Sequence, residues 1–297
     1  MSADVRDQSI SGLLAGGAAY FIWGLAPMYW KMLSNVPEYE TIFHRVIWSF
    51  LFLLPVILIQ GKGRLLVKTL SSPRQLRNLS ITTLFLATNW FVYIWAVNHD
   101  LILQASLGYY INPLVNVLFG VLFLKERLRK PQVIAVALAA AGVFYLTIGY
   151  GSFPHIALIL AGSFGLYGLI RKILNLDAAV GLAVETLLVS IPGCCYLIWL
   201  QKTGSAAFLH KGVTVDLFLI CTALVTALPL LLFNIGIKHL RLTTMGFLQY
   251  IAPSLMFIMA VFVYAEPLSI HQLISFGFIW IALAIYSMDS TRSHRAR

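Results

Sequence analysis

The chain has 297 residues, of which 60% are apolar and only 11% charged, a balance that removes it from the soluble globular class. A bilayer core of about 30 Å calls for apolar helices of about 20 residues, so ten would use about 200 residues and leave no room for a sizeable aqueous domain. The formal net charge of +10 does not point to nucleic acid, because the basic residues punctuate apolar runs instead of clustering on a solvated surface.

In chain order, apolar runs predict spans over residues 10–32, 41–60, 79–98, 101–124, 131–149, 153–171, 179–201, 216–237, 243–264 and 270–288. The first is too long for a signal-peptide core and no small-x-small pattern follows it, so it reads as a retained helix. Breakers mark the connections: Gly61 to Arg64, Ser71 to Arg74, Pro131, Gly149 to Gly151, and Ser269 as an N-cap. Cys194, Cys195 and Cys221 lie in apolar stretches without zinc or haem spacing and read as small packed hydrophobes.

A ten-helix path puts 17 of the 21 basic residues, Arg171 and Lys172 among them, on the side shared by both termini. Only Lys202 and Lys211 fall opposite, with Lys31 and Arg45 at or inside the outer edge. This bias predicts cytoplasmic termini. Dropping or adding one helix would scramble it.

Self-comparison adds an internal duplication. A shift of 140 places Tyr110, Ile111 and Pro113 on Tyr250, Ile251 and Pro253, and Glu126, Leu128 and Gln132 on Glu266, Leu268 and Gln272; it also sets Arg45 on Glu185. A shift of 141 sets Gly24 on Gly165 and Lys31 on Lys172. Five helices per half is an odd number, so equivalent helices cross in opposite directions. The fold expected is an all-α membrane protein of ten transmembrane helices in two inverted repeats, 10–149 and 153–288, with cytoplasmic tails 1–9 and 289–297.

Tyr20-Phe21-Ile22-Trp23-Gly24, His44 to Ser49, Asn89-Trp90, Ala105 to Asn116 and Phe278-Ile279-Trp280 resemble the RarD-type members of the EamA family in the drug/metabolite transporter superfamily. The resemblance covers nearly the whole chain. It implies a ten-helix inner-membrane permease with a central cavity lined by helices 1 to 4 and 6 to 9. Names in that group are linked to chloramphenicol, and the substrate stays open.

Helical spacing puts Tyr20, Trp23, Gly24, Pro27, Trp30 and Lys31 on one stripe of the first helix. Pro27 and its counterpart Gly168 loosen the backbone where bending would serve alternating access, with close packing as the other reading. The fourth helix carries Tyr109, Asn112 and Asn116 around Pro113, the third carries Asn89 and Tyr93, and Gln249 and Pro253 stand in the ninth. Amides in hydrocarbon need partners, so these faces turn toward protein or water, and any one Asn could instead satisfy a neighbouring backbone.

Of ionisable groups inside the spans, His44, Arg45 and Glu185 stand out. Arg45 suits a carboxylate or other anion, with Lys31 at the outer mouth. Glu185 is a candidate proton carrier or ligand for a substrate amine, a structural ion pair being the alternative. Glu126 and Glu266 are expected to cap the helices that follow them, or else to form a symmetric gate contact.

A membrane enzyme fits poorly: Ala161-Gly162-Ser163-Phe164-Gly165 misses the first glycine of a nucleophile elbow and lies within a span. Metalloprotease and phosphate-loop motifs are absent from the sequence. A channel would need filter loops or carboxylate rings. The expectation is therefore a secondary transporter without cofactor or metal, working in a lipid bilayer, with no nucleic-acid partner, as monomer or homodimer. Its cargo would be a small amphipathic metabolite or drug, amino-acid-like or aromatic, exported and able to exchange protons.

Overall fold

The computed structural model of the protein describes residues 3–99, 101–150, 153–263 and 270–295, and among them every regular element is helical. The helices are α1 (Ala3–Met32), α2 (Glu38–Ile59), α3 (Gly63–Leu70), α4 (Pro73–Asn98), α5 (Ile102–Leu122) and α6 (Lys130–Tyr150). They continue as α7 (His155–Leu174), α8 (Ala178–Lys202), α9 (Val213–His239), α10 (Leu242–Gln249), α11 (Ile251–Phe262) and α12 (Ile270–Arg295). Ten segments among the described residues are long and apolar enough to cross a membrane, α10 and α11 together supplying one of them.

Three departures from the sequence expectation have local causes. Helix α4 starts six residues earlier than predicted, at Pro73, whose fixed φ suits the first helical position, and Ser72 Oγ accepts a 3.4 Å bond from the Gln75 N–H. The basic stretch expected as a plain connection contains the two-turn α3. The ninth span is broken: Pro253 has no N–H to give to the Gln249 carbonyl, and the chain turns at Tyr250, whose N–H bonds Phe247 O instead.

Successive spans alternate in direction, so connections sort to two ends. We call the end where α1 starts and α12 finishes basal, and the other apical. Basal ties include Lys62 Nζ to Asp177 at 2.7 Å and Arg129 to Asp289 at 2.8 Å. Glu126 accepts bonds from the N–H groups of Leu242 (2.7 Å) and Thr243 (3.0 Å). It thus caps α10, not the following α6 as expected. Free amides at any helix start attract a carboxylate, and near the start of α6 Gln132 already accepts from the Arg129 N–H. Apical ties include Lys211 to the Asn35 carbonyl, and Glu40, which accepts from the N–H groups of Ala207 (2.9 Å) and Phe208 (3.0 Å).

The helices pack mostly across the middle of the chain. Helix α1 lies on α9 and α11, α2 on α8 and α9, α4 on α7 and α8, α5 on α7 and α10, and α6 on α12. Replacing each span by the one five places along turns this set of pairs into itself. Two glycines permit close approaches between the halves: a Cβ on Gly246 would stand 2.6 Å from the Pro113 carbonyl oxygen, and one on Gly24 would stand 2.8 Å from Leu255. The largest core side chains, Tyr20, Tyr167 and Phe233, meet where α1, α7 and α9 converge.

Candidate functional site

Arg45 of α2 lies between two indoles, its guanidinium carbon 5.0 Å from the Trp30 ring of α1 and 5.0 Å from the Trp90 ring of α4. Its Nε donates to Thr226 Oγ1 of α9 at 3.1 Å. Among the described residues no carboxylate pairs with it. Tyr93 and Tyr109, edge to face at 6.1 Å, stand nearby among packed helices yet each keeps 39% of its surface accessible. Five elements, α1, α2, α4, α5 and α9, thus converge on a recess with aromatic walls and one fixed positive charge. Such a site attracts an anion through the guanidinium and an apolar body through the rings.

Below the recess, toward the basal end, Trp23, Phe164 and Phe233 form a floor. Trp23 meets Phe164 at 5.7 Å and Phe233 at 5.9 Å, and Phe164 meets Phe233 at 5.1 Å. Gly168 leaves room for the Phe233 ring, whose tip would lie 3.2 Å from a Cβ there. Tyr20 is buried in the same cluster, and its hydroxyl has no partner among the described residues.

Further toward the basal end is a buried polar cluster. Glu185 of α8 accepts from Thr82 Oγ1 of α4 at 2.6 Å and from the Tyr167 hydroxyl of α7 at 3.2 Å, and lies 3.8 Å from Arg171 Nε. Arg171 Nε donates to Asn234 Oδ1 of α9 at 2.8 Å, and Asn234 Nδ2 donates to Tyr167 at 2.9 Å. The ion pair is almost wholly buried, and the hydrogen bonds from Thr82, Tyr167 and Asn234 offset much of that burial. Gly181 makes it possible sterically, because a Cβ there would overlap the guanidinium.

The amides form a third group. Asn89 Nδ2 donates to Leu160 O (2.8 Å) and Ser163 Oγ (3.1 Å), and Asn112 Nδ2 to Ala161 O (2.8 Å), fastening α4 and α5 to α7. Asn116 Nδ2 donates to Gln249 Oε1 at 2.8 Å and to Asn112 Oδ1 at 3.1 Å. Asn112, Asn116 and Gln249 are buried. In this conformation they serve helix-to-helix packing, away from the aromatic recess.

Of the remaining sequence candidates, His44 turns away from Arg45: it accepts from Trp48 Nε1 at 3.1 Å, packs against the Phe208 ring in a tilted arrangement at 4.6 Å and lies 3.8 Å from Glu40. That face borders a separate, largely apolar recess of about 550 Å³ between α2 and α8. Lys31 is exposed at the apical end, Pro27 lies in an uninterrupted α1, Pro113 is buried inside α5, and Pro253 follows the α10–α11 break. Glu266 lies outside the described residues. Arg171, counted in the sequence among the basic residues on the side of both termini, is 4% exposed and faces Glu185. Its alignment with Trp30 at the 141-residue shift was the available signal. Glu40 was also missed; at 0% exposure it holds an apical connection. Among the described residues no group of His, Cys, Asp and Glu is arranged to hold a metal.

Comparison with known proteins agrees with this architecture. Residues 10–148 match the EamA-like transporter family. An uncharacterized transporter of Vibrio cholerae serotype O1 is 46% identical over 100% of this chain and 98% of its own. Protein RarD of Escherichia coli strain K12 is 41% identical over 97% of each chain. The chloramphenicol-sensitive protein RarD of Pseudomonas aeruginosa is 30% identical over 95% of each. A crystal structure superimposes with a TM-score of 0.73 at 20% identity, covering 94% of this chain and 98% of that one, which shows a shared fold. With ten membrane-length helices and relatives of this similarity over its whole length, the chain belongs to the EamA family of membrane transporters, as a RarD-type permease.

Proposed function

We propose that the protein is a secondary transporter of the bacterial inner membrane that moves a small amphipathic solute bearing a carboxylate, by alternating access between two inverted five-helix repeats. The basal end faces the cytoplasm and the aromatic recess opens toward the apical side. One observation carries the reading: Arg45 is fixed between Trp30 and Trp90, and among the described residues no carboxylate neutralises it. A guanidinium drawn out of water without a counter-charge is costly, so the site is built for an anion that arrives with the solute. Trp90, Tyr93 and Tyr109 take the apolar part.

Two further observations favour alternating access. The interhelix pairs are conserved under exchange of the halves, as inverted repeats require. The Arg45 recess and the Glu185 cluster, at positions related by the duplication, differ: the first keeps accessible surface and the second is sealed. A duplicated machine caught open at one end and shut at the other has this form. The 17-to-2 division of basic residues favours a cytoplasmic basal end. Glu185 lies in the sealed cluster, so a substrate amine in the recess is left to the ring faces. We favour export of aromatic or amino-acid-like compounds, with phenicols as a further class.

The test is counterflow in proteoliposomes across a panel of aromatic amino acids, aromatic carboxylates, nucleosides and chloramphenicol. Saturable, competable exchange of carboxylate-bearing members is the expected result. Conduction without saturation would identify a channel, and loss of Arg45 without any change in carboxylate selectivity would remove the assigned anion site.

A further inference from the structure

We propose that Glu185 is the coupling-ion site of this transporter, that its ion is the proton, and that a water-holding cavity beside Gly181 connects it to the basal surface. The proposal rests on the transporter reading above.

Asp177, Gly181 and Glu185 stand four residues apart, on one face of α8 running inward from the basal end. Asp177 is at the surface, paired with Lys62. Gly181 borders a cavity of about 40 Å³ that Thr69, Gln75 and Asp177 also line. That exceeds the roughly 10–15 Å³ one water needs, and among mostly apolar walls (Leu65, Leu176 and Val180) the side chains of Thr69, Gln75 and Asp177 offer polar partners. Two buried atoms in this region have no partner among the described residues: Gln75 Oε1, an acceptor on the cavity, and Arg171 Nη1, a donor packed over the bare Cα of Gly181. Water satisfies both kinds at once. The passage therefore runs from Asp177 through the cavity to the guanidinium that faces Glu185.

A proton from a hydronium ion of the basal solution, relayed along this route, adds to a Glu185 oxygen and converts the carboxylate to a neutral carboxyl, leaving water behind. The local charge then changes from a balanced pair to a lone Arg171 cation. A buried unpaired guanidinium favours hydration, so the basal half is driven to open. The bonds that must yield, Thr82 to Glu185 and Arg171 to Asn234, join α4 to α8 and α7 to α9.

Other charges leave this role to Glu185. From α7, Lys172 is engaged by the Ile237 and Leu240 carbonyls. The charged groups of α2 (Glu38, Glu40, His44, Arg45) lie in its apical turns, and Asp216 is at the apical start of α9, whose Lys238 and His239 are exposed at its basal finish. Arg64 and Lys68 of α3, and Arg74 and Arg77 of α4, are exposed on the basal surface.

The test uses the full-length protein in liposomes and no solute. Infrared difference spectra on pH titration should contain a protonated-carboxyl carbonyl band that disappears on raising the pH and is missing in Glu185→Gln. In a chain with the three native cysteines replaced by alanine, Leu230→Cys, one turn from Asn234, should react several-fold faster with an impermeant maleimide from the basal side in acid than in alkali. Adding Glu185→Gln should make that reaction fast at every pH. Thr82→Ala, which keeps the carboxyl, should quicken it while preserving the pH response. Absence of a carbonyl band assignable to Glu185, or labelling indifferent to pH, overturns the proposal. If counterflow persists in either case, the transporter reading stands without the proton site.

Discussion

Thr82 and Glu185, 103 residues apart in the chain, are joined by a 2.6 Å hydrogen bond that ties α4 to α8 inside the bundle. Hydrogen bonds to charged groups contribute about 1.5–3 kcal/mol. Thr82→Val keeps the volume and removes the donor, so it should lower the thermal unfolding temperature measured in detergent.

Breaking the ion pair on one side should be worse than removing both partners. Glu185→Leu leaves Arg171 buried and uncompensated, at a cost of about 3–5 kcal/mol. The double variant Glu185→Leu, Arg171→Leu should recover much of that loss. Thermal unfolding of the two single variants and the double gives the coupling directly, and strict additivity would contradict the arrangement.

Arg45→Lys should behave more like a deletion than a conservative change, because stacking between Trp30 and Trp90 needs a planar cation. Trp90→Leu removes one face, worth about 0.5–2 kcal/mol, which is about a 2- to 30-fold loss of affinity. Competition by carboxylate-bearing solutes in counterflow measures both, and neutral solutes should be affected less.

Gly246 and Gly17 make a matched pair. A Cβ at Gly246 would stand 2.6 Å from the Pro113 carbonyl, whereas one at Gly17 would meet nothing within 4 Å. Gly246→Ala should therefore destabilise by about 1–3 kcal/mol as α5 and α10 are forced apart. Gly17→Ala should be neutral or stabilising by up to about 1 kcal/mol. Thermal unfolding of the two variants side by side is the check.

Asp177 offers a pH test outside the spans. Burial raises its carboxyl, but the hydrogen bond from Lys62 and those from the Val180 and Ala179 N–H groups outweigh burial and hold it below the usual carboxylate range. A depressed folded value means that its stabilisation is present above the unfolded-state value and lost as the pH falls through the folded one. Asp177→Ala should cost about 0.5–2 kcal/mol at neutral pH. The gap in unfolding temperature between it and the unsubstituted protein should close in acid.

Particular residues show where sequence reading stops. Pro131 and Gly149 to Gly151 marked the ends of α6 well, because backbone constraints act locally. Pro253 was legible as a weak point, and the helix does break three residues before it. Asn112 and Asn116 were correctly placed on a face that must find partners, but whether a partner is a solute or the Ala161 carbonyl depends on a helix 49 residues away. The burial of Arg171 was not legible because the last turn of a span looks the same whether its side chain reaches water or folds back onto the next helix. The recess around Arg45 was half visible: the charge and the aromatic residues could be named, their sandwich geometry could not.

The amino-acid order alone determined the number, length and succession of the spans and their bias of basic residues, since each follows from the transfer of about 20 consecutive residues into hydrocarbon. The tertiary structure alone decided which charge meets which: Glu185 with Arg171, and Arg45 with two indoles and, among the described residues, no carboxylate. Those outcomes depend on how each helix is rotated about its axis and on which helix lies beside it. Neither is a property of a local window, because rotation and neighbour are fixed by packing across the whole bundle.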